Sequence, residues 1–212
     1  MIYTMYSQRC DGWKNVMLGQ SNTTIGQYGC LICAVASGLT DVGVTIKDLP
    51  PDPARLNRWL ARHDGFVAPP DEPDESNLFV FSAVGRLGVQ LIDFVDCRDI
   101  PAPVGKIRAA LAKPDHFVVI QVDFKPGDGQ RQQHWVRAVT WFDADIKIMD
   151  PWSLNDNQTV YLMTRYALPT WDSPARAIFR LAIYQYDPGN VPFAPEGVGI
   201  GPVQDTLCAY PY

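Results

Sequence analysis

No cluster of Lys or Arg interrupts this sequence, and its formal charge is −5. The electrostatic footprint of nucleic-acid binding or of attachment to anionic membranes is therefore missing. No apolar run approaches the ~20 residues that span a bilayer. Residues 1–10 carry neither a basic n-region nor an apolar h-region, so no Sec-type signal peptide is visible. Synthesis in the cytoplasm is expected, with release by another route or carriage on a virion left open. Cysteine is sparse and odd in number: Cys10, Cys30, Cys33, Cys97 and Cys208. That is too few for a disulfide scaffold; it suits a reducing compartment and leaves at least one free thiol. Only one Cys-x-x-Cys occurs, Cys30 to Cys33, without a second ligand pair at metal spacing, so a zinc site is not expected. Nothing implies an organic cofactor.

What is present is ordinary globular material. The chain has 212 residues, 47% hydrophobic and 19% charged, enough for one substantial core. Residues 30–39 are apolar on every face, which requires a buried helix, and Gly26 and Gly29 mark a turn just before it. A second helix is signalled by Asp52 as N-cap, Pro53 at the first helical position, and Leu56, Trp59 and Leu60 at helical spacing. Residues 69–76, rich in proline and acid, read as a solvated loop, and the pattern predicts a short helix over 77–87 stopped by Gly88. Segments 89–95, 117–124, 135–142, 146–149 and 177–186 have strand length and β-branched or aromatic composition, with one more helix at 104–112. Helices first and strands later favour an α+β domain over a wound parallel sheet. Residues 188–212 turn Pro- and Gly-rich and lose periodicity. They read as an extended tail that wraps the domain or binds a protein partner, which leaves 1–187 as the domain.

A thiol becomes a strong nucleophile when held as thiolate, and a helix start favours the anion through its free N–H groups. Cys30 has that position; Cys33 lies one turn deeper and reads as packing. A redox role for the pair would need a preceding strand of a βαβ unit, where this chain is polar and turn-rich. A cysteine nucleophile needs a base, and only three histidines are available. His63 follows Arg62 at a helix end, where a cation complements the dipole, and His116 opens an apolar strand at its edge. His134 begins a strand after a polar turn containing Gly127 and Gly129, at a mouth that can face a helix start. An orienting acceptor is offered by Asp150, at the end of the next strand, although an Asp-Pro turn closing a strand would also account for it. If residues 143–145 form the hairpin turn, Asp150 falls opposite Ala138 on the same face as His134. The two then stand about four residues, or ~13 Å, apart along the ladder. A twist, bend or longer turn must close that gap.

Two stretches carry a resemblance. The run His134-Trp135-Val136-Arg137-Ala138-Val139-Thr140-Trp141, followed by Asp150-Pro151-Trp152, resembles the histidine strand and Asn-Ser-Trp segment of papain, with Asp in place of Asn. Gln8, Trp13, Leu18-Gly19, Thr24-Ile25-Gly26 and Gly29-Cys30 resemble bacterial and phage relatives of the bacteriocin-processing (double-glycine leader) cysteine peptidases. The resemblance implies a papain-like fold, a helical half bearing the nucleophile helix packed on a twisted antiparallel sheet. It implies a thiolate at Cys30, an imidazolium at His134, an orienting carboxylate at Asp150, and a glutamine in the oxyanion hole. Gln8 matches the early glutamine of that branch, and Gln27 is the competitor. The activity implied is hydrolysis of a peptide amide, with a bacterial cell-wall peptide in a phage or bacterial lytic setting as the analogous substrate. No transporter segment or wall-binding module accompanies it, and transfer of the acyl group to an amine would use the same residues. A different class of reading, a virion or surface module whose tail docks a partner, has no need for all three reactive side chains.

Overall fold

The computed structural model describes residues 3–153, 159–190 and 209–210. The first half is helical. After β1 (Met5–Tyr6) come the single turn α1 (Ile25–Tyr28), the long α2 (Cys30–Asp41) and α3 (Pro53–Ala61). The side chain of Asp52 caps α3 by accepting the Arg55 N–H at 2.7 Å, with Pro53 in the first turn as the sequence predicts. Every residue of α2 from Ile32 to Leu39 is buried, because the helix is enclosed on all sides. Gly38 marks the tightest contact: a Cβ there would stand 2.3 Å from the Phe117 ring, so helix and sheet approach as closely as a missing side chain allows.

The expected helix over 77–87 does not form. Leu78–Phe79 is instead a strand, β3, paired antiparallel with β2 (Phe66–Val67), and only Ala83–Leu87 coils, as a 3-10 turn. The reason lies in the pattern: Phe79 and Phe81, two apart, pack edge-to-face at 5.4 Å, while Leu78 is exposed. That is period two rather than helical period. Gly88 does end the segment, with a left-handed φ of 76°.

Strands β4 (Val89–Asp96), β5 (His116–Asp123), β6 (Gln133–Phe142), β7 (Asp145–Met149), β8 (Val160–Tyr161) and β9 (Arg180–Tyr186) form one antiparallel sheet in the order β4-β9-β5-β6-β7-β8. Helices α4 (Val104–Leu111) and α5 (Leu162–Tyr166) complete the set. With helices and an antiparallel sheet segregated in this way, the fold is α+β. Alternation along the strands divides the core. Phe117, Val119, Trp135 and Val139 join α2, whereas Val118, Ile120, Val136 and Ala138 join Ile107 of α4 and Leu162 and Tyr166 of α5. The sheet is thus covered on both faces, a second layer beyond the one expected from sequence.

The tail expected at 188–212 falls outside the described residues at 191–208 and 211–212; Ala209–Tyr210 (β10) pairs antiparallel with β1. Among the described residues no helix is long and apolar enough to cross a membrane. Cys30, Cys33 and Cys97 are free thiols, but Cys10 is disulfide-bonded. That bond does not fit the reducing compartment inferred from cysteine count, since structural disulfides are rare in the cytosol.

Candidate active site

Hairpin register decides whether His134 and Asp150 can meet. The turn is shorter than expected: Asp143 and Ala144 alone connect the strands, Asp143 at a φ of 53°, and Phe142 pairs with Asp145. A bulge between Ala138 and Thr140 then shifts the ladder by one more residue, so that Arg137 pairs with Met149. Extended by one step, this register sets Asp150 opposite Val136 rather than Ala138. The separation from His134 falls to two residues, ~7 Å along the strands, a diagonal that side chains bridge. The bulge does what the ideal ladder could not.

The His134 Nε2–H donates to Asp150 Oδ1 at 2.8 Å, both side chains being buried. The Cys30 side chain, at the start of α2, is near enough to favour the charged form of the ring. Burial pushes the imidazole toward neutrality, but the bond to Asp150 and the influence of Cys30 outweigh it and raise its pKa to about 9. The ring is walled by Phe124 at 5.1 Å and Tyr166 at 5.7 Å, and Trp152 stands edge-on to Phe124 at 5.1 Å.

Asp150 is fully engaged. Its Oδ1 also accepts the Trp152 N–H at 2.9 Å; its Oδ2 accepts the Tyr166 hydroxyl at 2.7 Å and the Arg165 Nε–H at 3.4 Å. Burial raises the carboxyl, yet these donors and the His134 charge prevail and hold it below the ordinary aspartate value. Tyr166, buried beside the carboxylate, is correspondingly raised and stays a donor. Sequence reasoning missed Tyr166 and Arg165; the only signal was the i, i+4 apolar pair Leu162 and Tyr166 of a helix too short to notice.

Cys30 opens α2 directly after Gly29, where a Cβ would lie 2.5 Å from the Ile25 carbonyl oxygen, so glycine is required for α1 to turn into α2. The thiol is half-buried; Cys33, one turn below, is completely buried, and its thiol is pushed well up by burial and by the neighbouring Cys30. Gln8 is buried between two parts of the site. Its backbone N–H donates to the Pro151 carbonyl at 2.8 Å, and its side-chain Nε2 donates to the Gly26 carbonyl at 3.0 Å, in the turn that leads to Cys30. Its Oε1 has no partner. Gln27 points elsewhere: exposed, its Oε1 accepts from Thr24 N at 2.9 Å in the capping box of α1.

The other histidines lie apart from this cluster. His63 stacks on Trp59 at 4.2 Å, its Nδ1 2.6 Å from the Trp59 carbonyl, a contact at the α3 terminus. His116 opens β5, an interior strand rather than a sheet edge, and its Nδ1 contacts Asp115 Oδ1 at 2.8 Å. Among the described residues no three His, Cys, Asp or Glu side chains converge as a metal set.

Fold and site together define an α+β domain in which an imidazole hydrogen-bonded to a buried carboxylate stands near a thiol at a helix start, the three coming from distant segments. No protein-family profile and no curated protein matches this sequence. Among solved structures the chain is similar to a provisionally assigned C39-like peptidase from Bacillus anthracis. The identity is 16% and the TM-score 0.43, over 73% of this chain and 88% of that one.

Proposed function

We propose that the chain is a papain-like cysteine peptidase or amidase that hydrolyses a peptide amide bond through Cys30, His134 and Asp150. The observation that carries this reading is the buried His134–Asp150 pair at 2.8 Å, with the half-buried Cys30 thiol near enough to favour the charged form of the same imidazole. Cys30 passes its proton to His134 and its sulfur attacks the amide carbonyl. His134 then protonates the departing amine, leaving a thioester on Cys30, and afterwards takes a proton from the water that hydrolyses it. Gln8 Nε2 donates to the Gly26 carbonyl at 3.0 Å and, at the longer distance of 3.5 Å, to the Gln27 carbonyl; on this reading the longer bond is exchanged for the oxyanion, beside the backbone N–H of Cys30. Asp150 holds the ring in orientation throughout. By the resemblance of its motifs, a bacterial cell-wall peptide in a phage or bacterial lytic setting is the first substrate to assay.

Iodoacetamide labelling with residue-level mass mapping tests the reading. Cys30 is expected to react selectively near neutral pH, and His134→Ala abolishes that selectivity. Equally sluggish labelling of Cys30 and the buried thiols would overturn the enzyme and favour a binding or structural module. The pH profile has a required sign: protonated His134 is the leaving-group acid, so kcat/KM holds through neutrality and declines as pH rises through about 9.

A further inference from the structure

Each aromatic ring around His134 carries a cation. The Arg9 guanidinium lies over the Trp152 ring at 5.1 Å, Lys125 Nζ over Phe124 at 6.0 Å, and the Arg165 guanidinium over Tyr166 at 5.1 Å. Three exposed cations gathered on one wall are unexpected in a chain of net charge −5. Arg165 is already paired with Asp150 at 3.4 Å, which leaves Arg9 and Lys125 as the cations that the neighbouring acids do not pair. Asp150 is saturated by its own donors, Asp123 Oδ1 accepts the Lys125 and Gln132 backbone N–H groups, and Asp128 accepts from Gln130 N and Gln132 Nε2. Among the described residues neither Arg9 nor Lys125 has a carboxylate partner. Arg9 directly follows Gln8, and its backbone N–H is held by Ser7 Oγ at 3.2 Å, so its position is tied to the same loop.

We infer that this wall recognises a carboxylate on the amine portion of the substrate, with Arg9 as the principal specificity-determining residue and Lys125 as its auxiliary. The side follows from the chemistry of the peptidase reading, on which this inference rests: His134 protonates the departing amine, so whatever flanks His134 faces the leaving fragment. Phe124 flanks it and Trp152 extends that wall edge-on to Phe124, and Lys125 and Arg9 sit on those two rings. A guanidinium stacked on an aromatic face keeps its N–H edges outward, free to grip a carboxylate in a fork. Substrates whose leaving fragment is a free amino acid, or a peptide with an acid near its new amino terminus, have that group.

The leaving-fragment subsite is probed in reverse by aminolysis of the acyl-enzyme. An amine attacks the thioester, the acyl–nitrogen bond forms, the carbon–sulfur bond breaks, and the amine proton passes by way of His134 to sulfur. Full-length protein is acylated with an N-acylglycine p-nitrophenyl ester, and the thioester is partitioned among water, glycylglycine and glycylglycinamide. Wild type is expected to prefer glycylglycine about tenfold over its amide, the discrimination one charge-assisted bond supplies. Arg9→Gln lowers the ratio toward one, and Arg9→Lys retains part of it. Read as a ratio, the result is insensitive to a general loss of activity or of folded protein. Equal partitioning in wild type, or an unchanged ratio in Arg9→Gln combined with Lys125→Gln, would overturn the carboxylate subsite while leaving the peptidase reading intact. Absence of Cys30-dependent nitrophenolate release would instead remove the peptidase reading, and this inference with it.

Discussion

At Asp150 four donors meet one buried carboxylate, and this saturation keeps it charged where burial alone would neutralise it. The Tyr166 hydroxyl is the donor most cleanly removed. Tyr166→Phe is expected to lower kcat/KM by about tenfold, the scale of one hydrogen bond to a charged group. Because that bond depresses Asp150, its loss raises the carboxyl, so the acid-side decline of activity moves to higher pH in the variant's pH–rate profile. A role confined to packing would leave the acid limb in place. Cys30 and His134 were legible because cysteine and histidine are few and each opens an element; Asp150, one aspartate among many, stood out only as the end of the strand after that of His134, and the bulge that brings the two together was not visible. Tyr166 was not, since nothing in the pattern of a short helix distinguishes a tyrosine that packs from one that donates.

Elements were legible where one physical demand governs them. An all-apolar stretch must be buried, and α2 is; Asp52-Pro53 opens a helix, and α3 starts there. Two failures have one cause, the choice between local periods and turns that only tertiary contacts settle. Residues 78–79 follow their strand partner Phe66–Val67 instead of a helical pattern, and the β6–β7 hairpin uses a two-residue turn with a bulge that residue types do not announce. The close approach of α2 to β5 supports a prediction at this scale. Gly38→Ala forces a methyl into the Phe117 ring and is expected to destabilise the domain by about 1–3 kcal/mol, measured by urea unfolding. The same displacement reaches the first residue of α2, so iodoacetamide labelling at Cys30 should slow in parallel.

On the scale of the molecule, Arg137 ties the two halves together. From β6 its buried guanidinium donates through Nη1 to Ser37 Oγ at 2.8 Å and Asp41 Oδ2 at 2.6 Å on α2, and Asp41 in turn accepts the Thr4 N–H at 2.9 Å. Arg137→Ala leaves Asp41 without its cation and should cost about 3 kcal/mol, seen as a Tm about 6–12 °C lower. Arg137→Met, which fills the space without a charge, should lose less when paired with Asp41→Leu. The α+β class was readable from the order of patterns, but the covering of both sheet faces was not, because α5 is too short to show amphipathicity.

Strand order holds a last consequence. The last strand of the large sheet, β9, is inserted between β4 and β5 and, among the described residues, is the only strand that bonds both. Clipping the chain before Arg180 therefore takes a keystone from the middle of the arch rather than a stone from its end. A ribosome must deliver this segment before the sheet can close, so a nascent chain that stops short of β9 lacks the strand that joins β4 to β5 behind α2.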